Sequence, residues 1–233
     1  MKPPFDWRLY LVTDRGLARG RPLEHVVEAA VRGGVTAVQL REKNCGTREF
    51  VELGRKLKEL LGKWRVPLVI NDRVDVALEM GADGVHLGQQ DMDYESARRR
   101  LGPDAIIGLS VETAGQARAA EGLGVEYLGV GPVFPTATKA DAAAVLGLAG
   151  LAQARAILRH KLVAIGGIGV GNARQAMDAG ADGVAVVSAI CAADDPEEAA
   201  RRLRQAIDGA LRERGRIAAG EAIMGSPGGD CHR

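Results

Sequence analysis

The chain has 233 residues, a length that suits one large domain or two small ones, and its 46% hydrophobic content is ordinary for a globular protein. Its 31 basic and 30 acidic residues leave a formal net charge of +1, so overall charge gives no reason to expect a nucleic-acid partner or binding to an anionic membrane surface. The composition excludes disorder, collagen and a coiled coil for the whole chain, and 31 glycines beside only 3% aromatic residues disfavour an all-β sandwich.

The cysteines and the first residues bear on the cellular compartment. Cys45, Cys191 and Cys231 show no zinc or redox spacing, and their odd number argues against a disulfide framework. Residues 1–7 contain no apolar signal core, and no apolar run approaches the ~18 residues of a membrane helix. We therefore expect a reduced, cytoplasmic protein with no membrane segment.

One pattern occurs four times along the chain, at residues 33–40, 81–88, 124–131 and 180–187. Each copy follows an Ala-rich amphipathic stretch, begins with a glycine suited to the left-handed position that ends a helix, and continues as a short apolar segment. The repeat predicts a helix, a glycine stop and a buried strand in each copy.

Further apolar runs supply the other strands, at residues 9–12, 67–70, 105–108 and 162–165. Because these runs are continuous rather than alternating, they are typical of parallel strands that are covered on their outer side. Helices are predicted at residues 23–32, 48–62, 74–80, 114–121, 148–158, 172–179 and 196–212.

Eight strand–helix units in this length predict an α/β fold, a single-domain eightfold (β/α) barrel (TIM barrel) over residues 1–214. The alternative is a doubly wound open sheet, which usually has fewer strands and a glycine fingerprint after the first strand, where this chain has Thr13, Asp14 and Arg15. Residues 215–233 are Gly-rich and aperiodic, so we expect a flexible C-terminal tail.

In a barrel of this kind the chemistry lies at the carboxyl ends of the strands. Gln39, Arg41 and Lys43 follow the second strand and predict either an anion site or a solvated charge cluster. Asp72 and Asp91 follow the third and fourth strands. Two carboxylates at adjacent strand ends can share one Mg²⁺ ion, although Asp72 could instead cap the next helix.

His86 and Ser110 follow the fourth and fifth strands. We interpret His86 as a structural histidine rather than a base. Ser110 has no triad partner and is interpreted as a phosphate ligand or a helix cap.

Later loops predict a second anion site. Thr136, Thr138 and Lys139 follow two prolines after the sixth strand, which suits phosphate capture, the alternative being a plain long loop. Gly167 and Ser188 follow the last two strands, where barrels recurrently bind phosphate. A diphosphate site with Mg²⁺ facing a monophosphate site predicts two phosphorylated small-molecule substrates and a transfer that expels diphosphate.

These segments closely resemble the thiamine phosphate synthase (thiamine-phosphate diphosphorylase) family over residues 9–204. The matching segments are residues 10–14, 39–43, 70–75, 85–91, 131–139 and 165–168. The resemblance implies a transferase that joins hydroxymethylpyrimidine diphosphate to hydroxyethylthiazole phosphate, or its carboxylated form, giving thiamine phosphate and diphosphate. It implies a dissociative, Mg²⁺-dependent mechanism. It does not give the oligomeric state, and a homo-oligomer is possible.

Carried over by position, the resemblance also implies roles for individual residues. Contacts to the pyrimidine diphosphate are implied for Gln39, Leu40, Arg41, Glu42, Lys43, Asn71, Ser110 and Lys139. Contacts to the thiazole phosphate are implied for Thr136, Ala137, Thr138, Gly167, Val187 and Ser188. Asp72 and Asp91 are implied as Mg²⁺ ligands, and Arg41, Lys43, Ser110 and Lys139 as the catalytic groups.

Two alternatives are kept beside this interpretation. One is a thiazole tautomerase of the same pathway, and the other is a non-enzymatic regulatory or metabolite-binding barrel. Neither needs two Mg²⁺ ligands together with a cluster of cations for a leaving group, so these residues discriminate against both.

Overall fold

The computed structural model describes residues 5–136 and 144–218, with side chains through residue 216. Eight parallel strands pair in chain order and close into one barrel, because β8 pairs with β1. A helix follows every strand, so the predicted (β/α)8 barrel is confirmed.

The elements alternate from one end of the chain to the other. The strands are β1 (Leu9–Val12), β2 (Ala37–Leu40), β3 (Leu68–Asn71), β4 (Gly84–Leu87), β5 (Ile106–Val111), β6 (Tyr127–Val130), β7 (Leu162–Ile165) and β8 (Gly183–Val186). The helices are α1 (Leu23–Arg32), α2 (Thr47–Gly62), α3 (Val74–Met80), α4 (Tyr94–Leu101), α5 (Ala114–Ala120), α6 (Gly147–Ile157), α7 (Ala173–Asp178), α8 (Ser188–Cys191) and α9 (Pro196–Ala218).

The buried side chains form two layers, one on each side of the barrel wall. Leu9 and Leu11 of β1 belong to the outer layer between strands and helices. Tyr10 and Val12 of the same strand belong to a smaller cluster inside the barrel. This alternation follows from the two-residue period of a strand, and it decides which side chains near the strand ends face the interior.

The glycine stops are confirmed in two copies of the repeat and wrong in the other two. Gly81 and Gly180 are left-handed, with φ of 67° and 108°. Gly33 has φ −75°, and the left-handed residue is the next glycine. Gly124 is not among the left-handed glycines. A Cβ on this residue would lie 2.8 Å from Tyr94 Oη, so a glycine is needed here to leave room for the Tyr94 side chain.

Helix α4 and the end of α9 differ from the sequence prediction, and the short α8 is not among the predicted ranges. Helix α4 was not predicted from the sequence, although Asp93 marks its start by accepting a hydrogen bond from Ser96 N at 2.9 Å. The last helix continues to Ala218, so residues 215–218 are helical, and the rest of the predicted tail lies outside the described residues. No helix in the described part of the chain is long and apolar enough to cross a membrane.

Candidate active site

A cavity opens at the carboxyl ends of the strands and brings together the two predicted halves of the site. From the predicted pyrimidine side it is lined by Gln39, Arg41, Asn71 and Ser110. From the predicted thiazole side it is lined by Thr136, Gly167, Val187 and Ser188. Ala137, Thr138 and Lys139 lie outside the described residues.

The side chains of segment 39–43 point in different directions, because the segment begins inside β2, where successive side chains alternate between the two faces. Gln39 and Arg41 line the cavity, whereas Leu40 is fully buried in the outer layer. The Glu42 side chain is also not in the cavity lining: only 7% of it is exposed, and it pairs with Arg15 at 3.2 Å. Lys43 is not in the lining either, but it lies near enough to Asp72 to act on its charge.

Two contacts near the end of β1 hold Arg41. Its backbone N–H donates to Thr13 Oγ1 at 3.1 Å, and Thr13 is fully buried. Its guanidinium, 17% exposed, lies 3.9 Å from the Asp14 carboxylate. The cation is therefore fixed at the cavity wall and only partly neutralised, as binding of an anionic group requires.

Asp72 stands directly after β3 in a backbone conformation that is uncommon for a residue with a side chain. Its φ is 63°, and its N–H donates to the His86 carbonyl of β4 at 2.9 Å. Helix α3 has Arg73 at its N-cap position and no side-chain cap, so the capping alternative for Asp72 is wrong.

The Asp72 carboxyl faces the carboxyl of Asp91 closely enough to share a hydrogen bond. Burial, followed by the hydrogen bond and charge of Asp91, raises the pKa of Asp72 to about 6. Asp91 is oriented by Gly88, whose backbone N–H donates to its Oδ2 at 2.6 Å. Two carboxyls that share a proton form an arrangement in which a cation can replace that proton.

The donor set of this pair fits Mg²⁺. Carboxylate oxygens are its preferred protein ligands, and the ion usually keeps several waters and takes the rest of its shell from phosphate oxygens. Among the described residues, no group of three or more His, Cys, Asp or Glu side chains could hold a metal ion. Two ligands at the edge of a phosphate site are sufficient for Mg²⁺, whereas structural zinc needs four protein ligands.

The Ser110 hydroxyl forms a hydrogen bond inside the barrel and does not cap a helix. Its Oγ lies 3.0 Å from His86 Nε2. Helix α5 is capped instead by Thr113, which accepts from Gln116 N at 3.2 Å, so the capping alternative for Ser110 is wrong. His86 Nδ1 lies 2.9 Å from the Tyr127 hydroxyl, so two polar side chains hold the imidazole ring.

The far wall depends on a close approach between two loops. Gly167 has φ 63°, and a Cβ at this position would lie 2.4 Å from the Pro135 carbonyl oxygen. This contact places the loop after β7 against the loop after β6, next to Thr136. Ser188 begins α8 immediately after β8 on the same wall.

Several lining residues were not predicted from the sequence, among them Tyr10, Tyr127 and Glu112. Both tyrosines were treated as parts of apolar strands. The alternation within β1 carries the missing signal, because Tyr10 shares its face with Val12, and that face points inward.

A family model and relatives of high sequence identity point to one family. Residues 9–190 match the family model described as thiamine monophosphate synthase. The thiamine-phosphate synthase of Albidiferax ferrireducens is 60% identical over 86% of this chain and 92% of its own length, and that of Chloroflexus aurantiacus is 53% identical over 85% and 92%.

A solved structure agrees with these relatives. The thiamine phosphate pyrophosphorylase from Pyrococcus furiosus superposes with a TM-score of 0.81 at 42% identity, covering 88% of this chain and 98% of that one. Sequence and structure therefore match over nearly the full length of these relatives. The chain belongs to the thiamine monophosphate synthase family.

Proposed function

We propose that this cavity joins hydroxymethylpyrimidine diphosphate to hydroxyethylthiazole phosphate, or its carboxylated form, in a dissociative reaction that depends on Mg²⁺ and releases diphosphate. As a family member the chain is a transferase of thiamine biosynthesis and acts as a thiamine-phosphate synthase. Its substrates are phosphorylated small molecules. Neither the tautomerase nor the non-enzymatic alternative is favoured, because the relatives from Albidiferax ferrireducens and Chloroflexus aurantiacus are both thiamine-phosphate synthases.

The observation that carries the metal dependence is the pair of facing carboxyls. Asp72 and Asp91 would hold the ion beside the wall that contains Arg41 and Asn71. When bound, Mg²⁺ supplies positive charge to the diphosphate oxygens and so makes diphosphate a better leaving group. The position of Lys43 near Asp72 adds a cation on the same side.

The reaction itself asks for charge stabilisation rather than for a base. The bond between the pyrimidine methylene carbon and the bridging oxygen breaks, and both electrons leave with diphosphate. The lone pair of the thiazole nitrogen then forms the new carbon–nitrogen bond, and no proton has to be removed from the nucleophile. With the carboxylated thiazole phosphate, the carboxyl group is also lost as CO₂. Arg41 is positioned for the first step, and the resemblance assigns Lys43, Lys139 and Ser110 to it as well.

The opposite wall is suited to holding the thiazole phosphate. Gly167 has no side chain, so a phosphate oxygen can approach its backbone, and the Thr136 and Ser188 hydroxyls line the same region. The two walls keep the nucleophile and the electrophile in one enclosed space, which favours capture of the cation by thiazole over water. We also propose a cytoplasmic location, since both substrates carry phosphate charges and do not cross membranes unaided.

The test is thiamine phosphate formation from the two substrates, with Mg²⁺ and with a chelator. Asp91→Asn should lose most activity at any Mg²⁺ concentration while its melting temperature stays near that of the wild type. Asp93→Asn is the matched control: it removes a carboxylate two residues away but keeps a side chain that can cap α4. Full turnover of Asp91→Asn at low Mg²⁺ would contradict the assignment of the metal ligands.

A further inference from the structure

A continuous chain of hydrogen bonds runs through the inside of the barrel from Gln39 to Ser110. Gln39 Nε2 donates to the Tyr10 hydroxyl at 3.1 Å, and this hydroxyl lies 2.9 Å from that of Tyr127. The Tyr127 hydroxyl lies 2.9 Å from His86 Nδ1, and His86 Nε2 lies 3.0 Å from Ser110 Oγ. All five residues line the cavity, so the chain joins two points of its wall through the interior.

Burial of the tyrosine hydroxyls in this chain of hydrogen bonds costs free energy, because each hydroxyl loses its contact with water. Tyr10 and Tyr127 are each only 1% exposed, and they are two of just three tyrosines in the sequence. Phenylalanine would fill the same space without a polar group that needs a partner. Burial raises the pKa of both phenols, so both stay neutral and each has one proton to donate.

Neighbouring strands leave room for the rings of this chain. A Cβ on Gly108 of β5 would lie 2.1 Å from Tyr127 Cζ, and a Cβ on Gly129 of β6 would lie 3.0 Å from His86 Cε1. The Tyr127 ring also packs against Trp7, with ring centroids 4.2 Å apart, and is stacked on His86 at 5.5 Å. The rings therefore have little freedom to turn away from their partners.

With the Gln39 amide nitrogen facing Tyr10, as the structure has it, the direction of the other hydrogen bonds follows from counting protons. The Gln39 amide nitrogen can only donate, so Tyr10 accepts from it, and the single Tyr10 proton is satisfied by donating to Tyr127. Tyr127 then donates its own proton to His86 Nδ1. An imidazole that accepts at Nδ1 carries its proton on Nε2 and donates it to Ser110 Oγ, which leaves the Ser110 proton for the cavity.

We propose that His86 and Tyr127 are positioning residues that fix the polarity of the cavity wall, presenting the Ser110 hydroxyl as a donor and the Gln39 amide oxygen as an acceptor to the substrate. The identity of that substrate, the pyrimidine diphosphate, rests on the function proposed above. A heterocycle with an amino group beside a ring nitrogen offers one donor and one acceptor, which is the complement of this wall. Neither positioning residue exchanges a proton with the substrate.

The first test measures the His86 tautomer in the substrate-free protein. The sequence has four histidines, and the ¹⁵N resonances of His86 are identified by their loss in His86→Gln. The proposal predicts a neutral ring with the proton on Nε2 and none on Nδ1. A proton on Nδ1, a fast mixture of tautomers or a charged ring would each overturn it. This measurement needs no turnover, so it stands even where the proposed activity fails.

The second test breaks the chain of hydrogen bonds at Tyr127, its central member. Tyr127→Phe removes the oxygen that sets His86, and it should raise KM for the pyrimidine diphosphate about 3- to 10-fold, the worth of one ordinary hydrogen bond, while KM for the thiazole phosphate stays unchanged. The His86 spectrum of this variant should show mixed tautomers. Tyr94→Phe is the matched control, because Tyr94 lies on α4 and contacts Arg98 rather than the cavity.

Two results of the second test would overturn the proposal. One is a Tyr127→Phe variant with the kinetics of Tyr94→Phe, and the other is an equal loss for both substrates. If Tyr127→Phe does not fold, the tautomer of the wild-type protein still decides. If the wild type makes no thiamine phosphate, the proposed function fails on its own, and the polarity of the wall is judged from the spectrum.

Discussion

Gly167→Ala tests whether the far wall of the cavity depends on the approach of two loops. A side chain at φ 63° costs roughly 1–2 kcal/mol. The new Cβ would also lie 2.4 Å from the Pro135 carbonyl oxygen, which is backbone and cannot turn aside, so the loop after β6 has to move. In a protein of this size about 1–2 kcal/mol corresponds to a fall in melting temperature of about 2–8 °C.

The same displacement should appear in the kinetics. Because Thr136 follows Pro135 on the loop that must move, KM for the thiazole phosphate should rise more than KM for the pyrimidine diphosphate. Gly169→Ala is the control: it lies in the same segment, its φ is not positive, and a Cβ there meets nothing within 4 Å. Thermal unfolding and steady-state kinetics of both variants decide, and a Gly167→Ala protein indistinguishable from Gly169→Ala would refute the argument.

Three further predictions concern other parts of the molecule. The folded-state pKa of Asp72, about 6, is above its ordinary value of 3.8, so without metal its contribution to stability falls as pH rises from about 4 to 6. Melting curves recorded with a chelator should show this fall in the wild type and not in Asp72→Asn. The rise in Tm that Mg²⁺ causes should disappear below about pH 6, where the carboxyl is protonated. Arg98→Met breaks the pair with Glu126 at 2.9 Å and should cost about 2–3 kcal/mol in denaturant unfolding while kcat is retained, and an unchanged unfolding midpoint would count against it. Lys139→Ala should lower kcat by about 10²–10³ with little change in KM, and a variant altered in KM alone would make Lys139 a binding residue only.

The sequence was sufficient for the barrel because the relevant signals are local and repeated. Eight apolar runs separated by amphipathic stretches specify strands and helices, and each run is short enough to assign without knowledge of its neighbours. Helix α4 was missed since it is strongly charged, with only Ala97 fully buried, and its start depends on one capping residue, Asp93. The strand ends then indicated where to look for a site, since parallel strands present them at one rim.

What the sequence could not supply is the direction of individual side chains. Within segment 39–43, Arg41 faces the cavity and Glu42 turns to Arg15, although both are charged and adjacent in the chain. The distinction depends on the strand's register and on Arg15, a partner 27 positions earlier in the sequence. The Tyr10 and Tyr127 hydroxyls are a second case, because their pairing joins residues 117 positions apart.

Asp72 shows why the site is placed at a strand end rather than within a strand. A residue inside β3 directs its side chain either into the barrel, as Asn71 does, or into the outer layer. The left-handed turn at Asp72 breaks this alternation and is held by backbone hydrogen bonds on both sides, from Asp72 N to His86 O and from Arg73 N to Asn71 O at 2.7 Å. The turn costs on the order of 1 kcal/mol, and the barrel closed around it supplies the stability that maintains it. Asn71 therefore remains in the cavity wall while the carboxyl of the next residue meets Asp91, so one strand end contributes to both the cavity and the proposed metal site.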